Sequence, residues 1–370
     1  MAATLTRCCG NASSVHAEGR AARAAVESAR GQVAHFLGAL PACVTFTSGA
    51  TEANALALSP VIEVGGQARS FDVLLVSAVE HPSVRAGGRF TASQVETIPV
   101  NRDYVVDLEA LEAMLATHRK AGPKALVSVM AANNETGVLQ PRAGIALAVQ
   151  EAGGLLHSDA VQIAGRLRFD LEASGADLIS VSSHKLGGPQ GAGALIARNE
   201  GIRVPPLLRG GAQEAGRRAG TENVPAIVSF AAAVSETEAA LPAETNRLRT
   251  LREKAEQGIR TVAPDAVILS EGAERLPNTV CFAAPGVSAE TAIIAFDLDG
   301  IALSAGSACS SGKVGPSETL KAMGVSSEIA KGAIRLSIGW DTNESDISRF
   351  IEVWKRVYDK LGRERRERAA

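Results

Sequence analysis

Ser182-Ser183-His184-Lys185 closes the strand-like run Asp177-Leu178-Ile179-Ser180-Val181-Ser182 and is followed by Gly187-Gly188-Pro189-Gln190-Gly191. A lysine at the end of an apolar strand is costly to desolvate unless something holds it there. A Schiff base with an aldehyde such as that of pyridoxal phosphate would do so. Taken alone, the triplet also reads as a lysine whose ammonium snorkels to water beside a turn. Upstream, His157-Ser158-Asp159-Ala160-Val161-Gln162 puts a carboxylate at the end of another short apolar run, able to face the same crevice. A buried aspartate is what a protonated pyridine nitrogen needs.

Working outward, strand-like and helical segments alternate. Val15 to Leu37 carries Val26, Ala29, Val33, Phe36 and Leu37 at helical spacing between charged residues, and a short strand Cys43–Phe46 follows. Thr47-Ser48-Gly49-Ala50-Thr51-Glu52 then opens a helix whose small residues leave backbone N–H groups and the Thr51 hydroxyl free to cradle a phosphate. Further strand-like runs at 73–76, 126–130, 155–157, 178–181 and 194–196 alternate with helices such as 108–117 and 143–151. Such alternation predicts an α/β fold, a three-layer large domain with a mostly parallel sheet. Beyond about Asn223 come two long helices, 224–240 and 244–262, then strands near 279–282 and 334–338 with helices 289–298 and 347–360. The reading is a large domain over 10–240 and a smaller C-terminal α/β domain over 241–370.

Polar groups recur at the strand ends. Glu80-His81-Pro82-Ser83 follows one strand and Asn133-Asn134-Glu135-Thr136-Gly137 another, at the edge where open α/β sheets bind ligands. Singly, His81 reads as a loop histidine and the Asn-Asn-Glu-Thr-Gly run as a turn. Thr47, His81, Asn134, Asp159 and Lys185 together supply groups suited to a phosphate, a ring and an aldehyde.

Composition narrows the class. The chain has 370 residues, 46% of them hydrophobic and 4% aromatic, enough for a large aliphatic core. Thirty-eight Lys and Arg against 40 Asp and Glu leave no net field to steer nucleic acid or a membrane surface. Uncharged apolar stretches look too short to span a bilayer, and the first residues lack a secretory apolar core. Five cysteines, an odd number without secretory context, suit reduced thiols in a cytoplasm. No Cys-x-x-Cys pair suggests a zinc site, and Gly191-Ala192-Gly193 lacks the third glycine of a dinucleotide fingerprint.

With Arg218-Ala219-Gly220-Thr221-Glu222-Asn223, Gly306-Ser307-Ala308-Cys309-Ser310 and Ile334-Arg335-Leu336-Ser337 added to these segments, the chain resembles the cysteine desulfurases of the NifS/IscS type. These lie in the aspartate aminotransferase fold family of pyridoxal phosphate enzymes, and the likeness runs from Gly10 to about Tyr358. The resemblance implies that Lys185 carries the cofactor and Asp159 pairs with its ring nitrogen. His81 would stack on the ring and help move protons, while Asn134 and Gln162 would bond near its phenolic oxygen. Ala50, Thr51, Ser182 and His184 would hold the phosphate, joined by Thr221 from the other subunit of a homodimer. Arg335 would clamp the carboxylate of L-cysteine, and the Cys309 thiolate, on the small-residue loop 305–317, would take the sulfur as a persulfide. A protein acceptor such as an iron–sulfur scaffold would receive it. The family's usual opening strand Leu-Asp-Asn-Asn-Ala-Thr-Thr is not found in Met1–Cys9. The alternatives are a selenocysteine lyase or related lyase, and a non-catalytic dimerising relative.

Overall fold

The computed structural model describes residues 1–7, 10–101, 103–121, 124–306 and 317–369. They divide into two compact units. The first comprises Met1–Pro99, Val106–Ala131 and Gln140–Leu241. Its seven-stranded sheet runs, in spatial order, Val44–Thr47, Gly193–Ala197, Leu178–Ser182, Leu155–Asp159, Ala125–Ser128, Val73–Ser77 and Val95–Ile98. The last five are mutually parallel, and Gly193–Ala197 is antiparallel to both its neighbours. Strands covered on both faces need apolar or small residues at every position rather than at alternate ones. Accordingly Val73–Ser77, Leu155–Asp159, Leu178–Ser182 and Gly193–Ala197 are buried throughout. Leu74, Leu126, Leu155, Leu178 and Leu195 from five of the strands pack with Leu56, Leu58, Ile62 and Phe71 in one aliphatic core. A three-stranded antiparallel sheet, Ile202–Arg203 with Val61–Val64 and Gln67–Ser70, belongs to the same unit.

The sheet interior holds one polar ladder. His157 is fully buried, its Nδ1 2.8 Å from Ser128 Oγ and its Nε2 2.9 Å from Ser180 Oγ on the two neighbouring strands. Burial pushes its pKa down to about 3, so the ring is neutral.

The second unit comprises Val100–Val105, Ala132–Leu139 and Pro242–Ala370. Its four-stranded antiparallel sheet runs Val267–Ile268, Thr279–Ala283, Ile334–Ser337, Ser304–Ala305. Here a cluster of aromatic rings sits within an otherwise aliphatic core. Phe282 meets Trp354 edge to face at 5.2 Å, Phe296 stacks on Phe350 at 5.5 Å, and the buried Trp354 donates Nε1–H to the Ile259 carbonyl at 3.3 Å.

Two features depart from the sequence reading. Val100–Val105 and Ala132–Leu139 belong with the second unit and not with residues 10–240. The reason is backbone pairing: Ala132 bridges Leu139, Val138 bridges Arg275, and Leu139 N–H and Leu276 N–H bond to the Glu274 and Gly137 carbonyls. The expected pair of helices around residue 241 is one helix, Val224–Val262, with Pro242 inside it. Proline costs one helical N–H donor. The apolar stripe nonetheless continues past it, through Ile227, Phe230 and Val234 before and Leu248, Leu251, Ala255 and Ile259 after, all buried. This helix is also long and apolar enough to cross a membrane by length and composition alone, contrary to the sequence reading, and 39% of its apolar window is buried inside the protein.

Candidate active site

The carboxyl ends of the parallel strands gather the polar side chains of the first unit. Asp159 ends Leu155–Asp159 and is only 6% exposed. Its Oδ1 accepts the Val161 N–H at 3.0 Å and its Oδ2 accepts Asn54 Nδ2–H at 2.9 Å. Burial pushes its pKa up, while these hydrogen bonds and the nearby His81 and Lys185 hold it down. Asn54, buried on the helix Ala50–Ala57, donates a second hydrogen bond to Ser83 Oγ at 2.9 Å. Ser83 Oγ lies 2.7 Å from His81 Nδ1, and the Ser83 N–H donates to that same nitrogen at 3.2 Å, so that His81 caps the short helix Pro82–Arg85. Partial burial lowers the His81 pKa. Asp159 opposes that shift, and Lys185 and Arg85 add to it.

Lys185 sits half-buried in the turn Ser183–Lys185 that ends strand Leu178–Ser182, and the left-handed Gly187 follows it. Its charge is felt by His81, Asp159 and His184. His184 is exposed, with Nδ1 2.9 Å from Ser182 Oγ. Gln162 is half-buried in the turn after Asp159.

The helix Ala50–Ala57 begins at Gly49 with no side-chain cap, leaving first-turn N–H groups available to an anion. Ala50 is half-buried and Thr51 exposed. The backbone at Gly49 lies so close to Gly193 that a Cβ there would stand 2.7 Å from Gly49 Cα, which explains that glycine. Glu52 takes hydrogen bonds from Ser48 N–H and Oγ–H and pairs with Arg218 at 2.9 Å, an arrangement that neutralises the first-turn carboxylate. Thr221 lines a cleft of about 160 Å³ with Thr47, Ser48, Gly191 and Arg218.

Asn134 and Arg335 meet in the second unit. Arg335 Nη1–H donates to the Asn134 carbonyl at 2.8 Å, leaving Arg335 Nε and Asn134 Oδ1 buried and without hydrogen-bond partners among the described residues. An asparagine-capped turn shapes this segment: Asn133 Oδ1 accepts from the Glu135 and Thr136 N–H groups and from Thr136 Oγ. Glu135 in turn accepts from Ser317 Oγ at 2.5 Å. Cys281, directly across the strand pair from Arg335, is fully buried, and its thiol is pushed up to about 12, which makes it an inert neighbour rather than a nucleophile. Burial likewise raises the thiol of Cys43. Cys309 lies outside the described residues.

The sequence reading missed Asn54, Ser83 and the role of Glu80. Glu80 is 1% exposed; its Oε1 accepts Ser77 Oγ–H at 2.7 Å and the Met130 N–H at 2.6 Å, Oε2 has no partner among the described residues, and burial pushes its pKa up to about 8. The signal for Asn54 was the lone polar residue in Ala53-Asn54-Ala55-Leu56-Ala57, a poor helix former in a small-residue segment.

A carboxylate, an imidazole and an amine in one electrostatic neighbourhood, beside an uncapped helix N-terminus, can bind an anionic cofactor and move protons. Comparisons agree with that chemistry. The aminotransferase class-V family model matches residues 1–350. A cysteine desulfurase of Cereibacter sphaeroides is 40% identical over 362 residues, covering 96% of this chain and 90% of the relative. The solved structure of a NifS-like protein from Rickettsia africae matches with a TM-score of 0.86 at 34% identity, covering 97% of this chain and 94% of that one. The structure of SspA in complex with cysteine matches with a TM-score of 0.74 at 27% identity, over 90% and 92% of the two chains. The chain belongs to the class-V aminotransferase family, among its cysteine desulfurase members.

Proposed function

We propose that the protein is a pyridoxal phosphate-dependent cysteine desulfurase, which converts L-cysteine to L-alanine and retains the sulfur as a persulfide on Cys309. The observation that carries the reading is the cluster of Asp159, His81 and Lys185 at the carboxyl ends of three parallel strands of one sheet. The residues fit the cofactor: Asp159 has both oxygens held as acceptors, ready for a ring N–H neighbour, and the first turn at Gly49 offers uncapped N–H groups to a phosphate. Lys185 would be the covalent attachment point, with Ala50, Thr51, Ser182 and His184 around the phosphate and Thr221 of a second copy joining them. Gln162 and Asn134 would face the ring's phenolic oxygen. When bound, the cofactor supplies an electron sink that acidifies the substrate Cα–H.

The rest is the work of side chains. Arg335, whose Nε has no hydrogen-bond partner among the described residues, presents a planar fork to the substrate carboxylate. Lys185 takes the α-proton as general base and returns a proton to carbon. The Cys309 thiolate attacks the substrate sulfur: the Cβ–S bond breaks, an S–S bond forms, and carbon takes up the proton the thiol gave up. One cysteine and one enzyme thiol thus become one alanine and one persulfide. A homodimer, a cytoplasmic setting and transfer to a protein acceptor such as an iron–sulfur scaffold complete the proposal. Incubation with L-cysteine, alanine assay, alkylation and peptide mass spectrometry test it. Wild type should yield alanine with sulfane sulfur on Cys309, and Cys309→Ser should bind cofactor yet yield neither. Alanine from Cys309→Ser at the parental rate, or faster turnover of selenocysteine than of cysteine, would move the protein to a lyase.

A further inference from the structure

His81, Ser83, Asn54 and Asp159 form an unbroken chain of hydrogen bonds from three segments of the first unit: Nδ1 to Ser83 Oγ at 2.7 Å, Asn54 Nδ2 to Ser83 Oγ at 2.9 Å, and Asn54 Nδ2 to Asp159 Oδ2 at 2.9 Å. The direction of each bond follows from the chemistry of its atoms. A peptide N–H only donates, so the Ser83 N–H at 3.2 Å makes His81 Nδ1 an acceptor. The Asn54 amide must turn its NH2 toward Asp159, because a carboxylate only accepts; the flipped amide would set two oxygens against each other. The same NH2 fills a lone pair of Ser83 Oγ, and the serine proton is left to point at Nδ1. Two donors therefore converge on His81 Nδ1.

We infer that Asn54 and Ser83 are positioning residues that hold His81 in the tautomer protonated at Nε2, with Nδ1 blocked, while the same amide fixes the orientation of Asp159. In the resting protein His81 then offers the crevice an N–H donor and a ring face but no free basic nitrogen. Base duty falls to Lys185. The catalytic meaning of this arrangement rests on the function proposed above; the tautomer itself does not. Three other charged groups act on the His81 ring: Asp159 favours its protonation, and Lys185 and Arg85 disfavour it.

The test is nitrogen NMR on full-length protein labelled at its six histidines, titrated with and without pyridoxal phosphate, with His81→Asn assigning the signal. Wild type should show His81 unprotonated at Nδ1 and protonated at Nε2 from neutral pH upward. Ser83→Ala removes one of the two donors and should raise the His81 pKa by roughly 0.5–1 unit, the equivalent of one neutral hydrogen bond, and mix the tautomers. Ser83→Thr should restore the wild-type signal. Asn54→Leu, which frees the serine hydroxyl and unpairs Asp159, should mix the tautomers and weaken cofactor binding together. A wild-type ring protonated at Nδ1, or an unchanged titration in folded Ser83→Ala, overturns the inference. Failure to bind pyridoxal phosphate with the tautomer as described would instead overturn the proposed function alone.

Discussion

The interior and the carboxyl edge of one sheet treat histidine in opposite ways. At the centre, His157 spends both ring nitrogens on serines of the adjoining strands, is fully enclosed, and is driven to about 3 with no charged group listening to it. Two residues further along the same strand, Asp159 lies among Asn54, His81 and Lys185, and the titration of Asp159 and of His81 is biased by neighbouring charge. The first arrangement is closed and makes strands cohere. The second leaves backbone N–H groups for a ligand at the uncapped first turn at Gly49 and holds the half-buried Lys185. Positions two residues apart on one strand can thus serve packing and chemistry separately, which gives mutations that tell the two apart.

Asp159→Asn should cut turnover by roughly a hundredfold or more, since it replaces a charge aimed at the reacting system by a dipole, while the fold persists. Steady-state alanine formation per bound cofactor measures this; near-parental rates would mean that the edge chemistry lies elsewhere. Arg335→Lys keeps the charge but loses the fork and should raise the KM for cysteine roughly tenfold with a smaller change in kcat. An unchanged KM would move the carboxylate site.

His157→Ala should leave activity per folded molecule nearly intact but lower stability by about 2–3 kcal/mol, by opening a cavity and unpairing two serines. Because the folded pKa of His157 is depressed from 6.5 to about 3, its contribution is full above about 6.5 and is lost as pH falls toward 3, with a slope of up to about 1.4 kcal/mol per pH unit. Denaturant melts of wild type should show that slope and the variant should lack it. Glu80 has the opposite sign. Its folded pKa is raised from 4.5 to about 8, so its contribution is full below about 4.5 and is lost as pH rises through 8. Glu80→Gln, which keeps the shape of a protonated acid, should flatten the neutral-to-alkaline limb with the smallest effect of the set; an unaltered limb would show that Glu80 is ionised.

Much of this arrangement was legible in the sequence. Buried parallel strands announce themselves as short apolar runs, and Asp159, His81 and Lys185 each stand where such a run stops. Asn54 and Ser83 were not legible, because their role exists only once a helix and a strand-end turn from 29 residues apart meet. The allotment of Ala132–Leu139 to the second unit was hidden for a similar reason: it follows from backbone pairing with residues 274–276, which no local pattern encodes. The expected break between 240 and 244 is bridged by one helix, because a buried stripe on both sides of Pro242 outweighs that local helix breaker.

The central claim is that Lys185 is the covalent seat of pyridoxal phosphate. Borohydride reduction of the cofactor-loaded protein followed by peptide mass spectrometry tests it most directly. A reduced cofactor adduct is expected on the peptide containing Lys185, and none on the corresponding peptide of Lys185→Ala. An adduct on another lysine, or no adduct on the wild-type protein, would contradict it.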